Sequence, residues 1–135
     1  MNDLTSYVDT IARNARQAST DLTTVNGEQK LRWLNRCADS LVARADEIIA
    51  ANARDLAAGE DKGLSSAMLD RLRLSPERLQ GVADAVTEIG QLPDPVGEIM
   101  DSSKRPNGLL VTKVRVPLGV VFFIYESRPN VTVDA

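Results

Sequence analysis

Histidine is absent from the sequence, and Cys37 is its single cysteine. Within these 135 residues, that excludes an intrachain disulfide, a zinc site built from cysteine and histidine, and any catalytic triad that uses histidine. A nucleophilic role for Cys37 would need a nearby base or a helix amino terminus to lower the pKa of its thiol. Its position within an apolar helical pattern offers neither, so we interpret Cys37 as a small packed hydrophobe. We expect no metal site.

Long apolar runs are also missing. No stretch approaches the roughly 18 uninterrupted apolar residues that a membrane helix needs, and the first residues lack the apolar core and cleavage site of a signal peptide. The net charge of -3 argues against nucleic acid as the main partner, because nucleic-acid binding favours clustered lysine and arginine. We therefore expect a cytoplasmic protein that binds neither nucleic acid nor membrane. After residue 100, five basic residues stand against three acidic ones, which places an expected anion site toward the carboxyl end.

Helical periodicity dominates the first 90 residues. Apolar residues at three- and four-residue steps predict a first helix near residues 4–18, a long second helix from about Gly27 to Asp55, and a short helix near residues 64–72. Ser75 has the chemistry of an N-cap and Pro76 that of a first helical residue, with Gly90 near the end of the helix that they begin.

The pattern changes after residue 93. Turn residues at Pro-Asn-Gly, followed by alternating residues, predict a β-hairpin over 96–117 with one polar face. The apolar run Val120–Tyr125 is typical of a strand buried on both faces of a parallel sheet. Such a strand needs neighbours that crossover helices supply, so we expect further chain beyond Ala135. The organisation expected is a helical part over 1–95, the hairpin, and a strand, loop and helix start over 118–135.

Two segments resemble a known family. The segment VPLGVVFFIYESRPNVTVDA (116–135) and the segment IIAANARDLAAGEDKGLSSAMLDRLRLSPERL (48–79) are similar to the gamma-glutamyl phosphate reductase family of the aldehyde dehydrogenase superfamily. Phe122 and Phe123 depart from it, since the family more often has a glycine or small residue followed by an aliphatic one there. The resemblance implies an α/β fold of the aldehyde dehydrogenase type. This chain would supply the helical amino-terminal layer of the cofactor-binding domain, the hairpin and the first strand of the nucleotide-binding sheet.

The resemblance also implies an activity. It is the NADPH-dependent reduction of L-glutamate 5-phosphate to L-glutamate 5-semialdehyde and phosphate in proline biosynthesis. A cysteine thiolate attacks the acyl phosphate in that reaction, and the family's cysteine lies beyond residue 135, so the isolated chain is expected to be inactive. The full-length enzyme is expected to be a homo-oligomer whose subunit contacts include the hairpin.

Candidate site residues lie in the loop after the apolar run, where open α/β sheets place ligands. By the resemblance, the Asn130 amide donates to the developing oxyanion, while Tyr125, Glu126 and Ser127 line the cofactor side. The alternatives are that Asn130 caps the helix that follows it, and that Glu126 and Ser127 are solvated or capping. Arg128 either binds a carboxylate or phosphate of substrate or cofactor through its planar fork, or makes a structural ion pair.

One rival interpretation belongs to another functional class. It is a self-contained helical interaction module whose apolar strand pairs with a partner protein. Cooperative folding of the chain without any addition would distinguish it from the enzyme interpretation.

Overall fold

Helices make up most of the molecule. The structure, a computed structural model, describes residues 2–126 and 128–134. The elements in chain order are α1 (Asn2–Leu22), α2 (Gly27–Ala43), α3 (Ala45–Asp61), α4 (Ser66–Leu72), α5 (Pro76–Gly90), β1 (Ile99–Lys104), β2 (Leu110–Val114) and α6 (Val131–Asp134). None of the helices in these ranges is both long enough and apolar enough to cross a membrane.

The chain divides into two compact units. Unit 1 consists of Met1–Gly27 and Pro93–Phe122, and unit 2 consists of Glu28–Leu92 and Phe123–Ala135. Unit 1 contains α1 and the hairpin, while unit 2 contains the remaining helices. Unit 2 is therefore built from two separate stretches of sequence.

The hairpin of unit 1 confirms the prediction from the Pro-Asn-Gly turn. β1 pairs antiparallel with β2, from Lys104 opposite Leu110 back to Ile99 opposite Val114, with one irregularity between Ile99 and Asp101. Gly108 adopts a φ of 87°, a left-handed conformation that glycine reaches without a Cβ clash. All five residues of β2 are exposed, and in β1 only Ser103 is partly buried.

The core of unit 2 lies between α2, α5 and α6. Ala38, Ala83 and Val86 are buried together, and the partly buried residues packed against them are Leu34, Cys37, Leu41 and Val133. This confirms that Cys37 is a packed residue of a helix face. The start of α5 is also as predicted, because Ser75 Oγ accepts a 3.2 Å hydrogen bond from the Arg78 N–H and Pro76 follows at the first helical position.

The long second helix predicted from Gly27 to Asp55 is wrong in two respects, because it is divided at Arg44 and its second part, α3, continues to Asp61. Arg44 has φ -108° and ψ 21°, whereas a helical residue has ψ near -42°. Asp46 and Glu47 then lie in the first turn of α3, where negative charge favours a helix amino terminus. Apolar spacing continues across the break, so periodicity alone could not reveal it.

The segment 120–125 needs the second correction. It was predicted as a buried strand, yet it has no strand structure here, and Phe122 and Ile124 are 86% and 81% exposed. The reason is physical, since a strand exists only when its backbone pairs with a neighbour. The sheet formed by the described residues contains β1 and β2 alone.

Candidate functional site

The loop that follows segment 120–125 is tied to α6 through a tyrosine. The Tyr125 hydroxyl lies 2.8 Å from Thr132 Oγ1 in a hydrogen bond. The ring of Tyr125 also lies 5.8 Å from that of Phe123, tilted by 32°. Glu126 is exposed, and Ser127 lies outside the described residues.

Asn130 lies immediately before α6. Its carbonyl accepts hydrogen bonds from the N–H groups of Val133 and Asp134, at 2.8 and 3.0 Å. Its side-chain Nδ2 donates to Asp134 Oδ2 at 2.9 Å. A capping side chain would instead accept a hydrogen bond from a backbone N–H of the first turn. Asn130 thus begins the helix with its backbone, while its amide is oriented as a donor to a negatively charged oxygen.

Arg128 lines a cavity of about 480 Å³ within unit 2. Three further arginines, from α4, the turn after it and α5, line the same cavity: Arg71, Arg73 and Arg78. Asn130 lines it as well, together with the acidic residues Asp70 and Asp134. The cavity therefore brings two of the predicted site residues, Arg128 and Asn130, next to arginines that sequence reasoning did not single out.

Arg78 has a structural role in this arrangement. Its Nη2 lies 3.0 and 3.1 Å from the two carboxylate oxygens of Asp70, and its Nη1 donates to the carbonyls of Asp70 and Arg73. A single guanidinium thus joins the end of α4 to the start of α5. These contacts hold the connection that carries Arg73.

Asn52 supports the same connection through two further hydrogen bonds. Only 3% of Asn52 is exposed, and its side-chain Oδ1 accepts a 2.7 Å hydrogen bond from the Leu74 N–H. Its Nδ2 donates to the Leu72 carbonyl at 2.9 Å. Arg73 stands between these two bonded residues, so its backbone is held on both sides.

The second large cavity of unit 2 is of a different kind. It has a volume of about 770 Å³ and is lined mainly by the residues of α2 that surround Cys37, together with Val133 of α6. Trp33 at its edge is 64% exposed. Because this cavity borders the apolar cluster and holds no predicted site residue, we regard the arginine-lined cavity as the candidate site.

The arginines could not have been grouped from the sequence. Arg71, Arg73 and Arg78 lie in the stretch LDRLRLSPER, where charged residues at a helix end are usually solvated. Nothing in the spacing connects them to Arg128, about 50 residues later. The one available signal was the density of arginines in that stretch.

Comparisons with known proteins agree with the family resemblance. The gamma-glutamyl phosphate reductase of Novosphingobium aromaticivorans is 53% identical over 131 residues, which are 97% of this chain and 31% of that protein. The enzyme of Thermobifida fusca is 50% identical over 135 residues, which are 100% of this chain and 32% of that protein. No protein-family model matches the chain.

Solved structures give the same result for the fold. The gamma-glutamyl phosphate reductase of Thermotoga maritima superposes with a TM-score of 0.86 at 38% identity, covering 90% of this chain and 30% of that one. The enzyme of Saccharomyces cerevisiae gives 0.87 at 33% identity, covering 93% and 32%. Over nearly its whole length, the chain is therefore homologous in sequence and fold to the gamma-glutamyl phosphate reductases, and it spans about a third of their length.

Proposed function

We propose that the chain serves in an enzyme that reduces L-glutamate 5-phosphate to L-glutamate 5-semialdehyde and phosphate, in the synthesis of proline. The observation that supports this most is the 53% identity to a gamma-glutamyl phosphate reductase along 97% of the chain. The TM-scores of 0.86 and 0.87 to two enzymes of that name add independent support. In this proposal the protein acts in the cytoplasm.

In the proposed reaction, Asn130 stabilises negative charge on the reacting carbonyl oxygen. Its Nδ2 already donates to a carboxylate oxygen of Asp134, so the amide hydrogens are directed at negative charge. Removal of one such donor typically lowers kcat about 100- to 1,000-fold. Asp134 would compete with the oxyanion for the same donor, and the substrate must displace it.

We assign NADPH as the cofactor, which supplies the hydride when bound. Tyr125 and Phe123 are 45% and 54% exposed as whole residues, and an accessible aromatic ring suits a flat heteroaromatic group. The hydrogen bond between the hydroxyl groups of Tyr125 and Thr132 fixes one of these rings relative to α6. Glu126 and Ser127 complete the proposed cofactor side of the loop.

The proposed enzyme is a homo-oligomer in which the hairpin takes part in subunit contacts. Leu110 is 65% exposed and Ile99 is 64% exposed, which leaves apolar side chains of both strands open to a partner. In this proposal, residues 1–95 form the helical part of the cofactor-binding domain, 96–117 form the hairpin and 118–135 begin its nucleotide-binding sheet.

A chimaeric enzyme tests the proposed function. This chain would replace the aligned segment of the Novosphingobium enzyme, and two readouts would be followed: growth of a reductase-deficient strain without proline, and phosphate-dependent reduction of NADP⁺ by the aldehyde. We expect activity in the chimaera and none in the isolated chain. A folded chimaera without activity, beside an active parent, would overturn the proposal.

The role of Asn130 is tested in the same chimaera. Asn130→Ala should lower kcat about 100- to 1,000-fold. The matched control is Asn35→Ala, since Asn35 is exposed on α2. Equal activities of the two variants would contradict the oxyanion role.

A further inference from the structure

We propose that Arg71, Arg73 and Arg128 together bind the anionic group of the substrate, either its phosphoryl group or its carboxylate. The inference depends on the proposed function and extends it, because Arg71 and Arg73 come from a different part of the chain from the loop of Asn130. The two candidate groups share one property: both the tetrahedral phosphoryl group and the planar carboxylate carry negatively charged oxygens that guanidinium groups bind.

The charge balance of the cavity is the first argument. Both carboxylates that line it are already engaged, Asp70 with Arg78 and Asp134 with the Asn130 amide. In contrast, the guanidinium groups of the other three arginines have no hydrogen bond or ion pair within residues 2–126 and 128–134. Four guanidinium groups thus line the cavity with only two carboxylates among its described lining residues, and an anionic ligand would supply further negative charge.

The rigidity of the cavity is the second argument. The turn that carries Arg73 is held by hydrogen bonds from the side chains of Asn52 and Arg78. Arg71 lies in the last turn of α4, one residue before Leu72, whose carbonyl Asn52 engages. A site whose backbone is fixed in advance loses less conformational entropy when a ligand binds.

The position relative to Asn130 is the third argument. Asn130 lines the same cavity as the three arginines. A substrate whose anionic end lies among them would therefore have its reacting carbonyl group beside the proposed oxyanion donor. The arginines bind and orient the substrate, while Asn130 contacts the atom on which charge develops.

Binding to the chain itself gives the first test. Inorganic phosphate and L-glutamate would be titrated separately by NMR and calorimetry, with far-UV circular dichroism to confirm that every variant keeps its helices. We expect Arg71→Gln and Arg73→Gln each to weaken binding of one of these anions at least about tenfold, which corresponds to roughly 1.4 kcal/mol. Arg36→Gln is the matched control, because Arg36 lines the other cavity and is exposed.

The anion that responds identifies the group. If phosphate responds, the site holds the phosphoryl group; if L-glutamate responds, it holds the carboxylate. Unchanged binding in both variants, or no binding of either anion to the chain, overturns the inference. The inference is also overturned if adenosine 2′,5′-bisphosphate binds while phosphate and L-glutamate do not. That result would assign the arginines to cofactor binding.

The chimaeric enzyme separates this inference from the proposed function. There, Arg71→Gln and Arg73→Gln should raise the KM of phosphate or of the aldehyde at least about tenfold while kcat changes less than about threefold. An inactive chimaera with arginine-dependent anion binding in the chain would overturn the function and leave the anion site intact. An active chimaera whose KM values do not change would overturn the anion site and leave the function intact.

Discussion

The side chain of Asn52 binds the backbone of Leu74, with its Oδ1 2.7 Å from the Leu74 nitrogen. Its amide nitrogen bonds Leu72 at the same time, so one buried side chain uses both of its polar ends on a single turn. Asn52 thus satisfies backbone hydrogen-bonding groups in the turn between α4 and α5, where the chain is no longer helical.

Replacing Asn52 should therefore destabilise unit 2 in the chimaeric enzyme, in which this and the following stability predictions are measured. Asn52→Ala leaves the Leu74 N–H and the Leu72 carbonyl without their partners, and each unpaired buried group costs about 1–3 kcal/mol. We expect the free energy of unfolding in urea to fall by about 2 kcal/mol or more. Asn35→Ala on exposed α2 is the control and should change it by less than about 0.5 kcal/mol. Equal effects of the two substitutions would contradict the role assigned to Asn52.

Two glycines within helices should respond differently to replacement by alanine. A Cβ at Gly81 in α5 would meet no atom within 4 Å, whereas one at Gly59 in α3 would lie 3.0 and 3.1 Å from Leu64 and Leu69 side chains. Gly81→Ala should raise the free energy of unfolding by about 0.5–1 kcal/mol, because glycine is a poor helix former. Gly59→Ala should lose that gain or lower stability, since two leucines must move. Thermal unfolding of both variants measures the difference, and a similar gain in both would refute it.

Acid titration of Glu47 should depend on Arg44. The Arg44 guanidinium lowers the pKa of Glu47 below its ordinary 4.5, first through a two-fold hydrogen bond of 2.9 and 2.8 Å and second through its charge. A lowered pKa in the folded state gives stability that is present above pH 4.5 and is lost as the pH falls through the folded-state value. Arg44→Gln should raise the pKa of Glu47 in a carbon-13 NMR titration. It should also reduce the loss in the free energy of unfolding as the pH falls. Arg36→Gln should leave the titration as it is in the unsubstituted chain.

The N-cap of α5 should contribute measurably to stability. Ser75→Ala removes the acceptor of the Arg78 N–H bond and should lower the free energy of unfolding by about 1 kcal/mol. Ser75 also lowers the pKa of Glu77 through a side-chain hydrogen bond, so that pKa should rise in the same variant. Ser40→Ala within α2 is the control. A Ser75 variant as stable as this control would show that the cap contributes nothing.

The sequence predicted those helices and strands that are determined by residues close together in the chain. The helices follow from apolar spacing, the start of α5 from Ser75 and Pro76, and the hairpin from its turn residues. The break at Arg44 was not predictable in this way, because apolar residues continue on the same face through it. The strand expected over 120–125 depends on pairing with other strands, which no local pattern contains.

The candidate site was predictable only in part. The loop and its residues Arg128 and Asn130 followed from the resemblance and from the position after an apolar run. Arg71 and Arg73 reach the same cavity because α4 ends where Asn52 and Arg78 hold the chain. That convergence is a property of tertiary packing, so the sequence indicated an anion site near Arg128 but not the part that Arg71 and Arg73 have in the cavity.

The place of Val133 in the apolar cluster has a consequence for biosynthesis. Val133 packs against Ala38, Ala83 and Val86, although it is separated from them by the whole of the hairpin in the sequence. During synthesis on the ribosome, the helices of residues 28–92 emerge before Val133. Until Val133 follows, part of their apolar face is uncovered. Closure of that face requires a long-range contact that forms only after Val133 has been synthesised, so chaperones would bind in the interval before Val133 emerges.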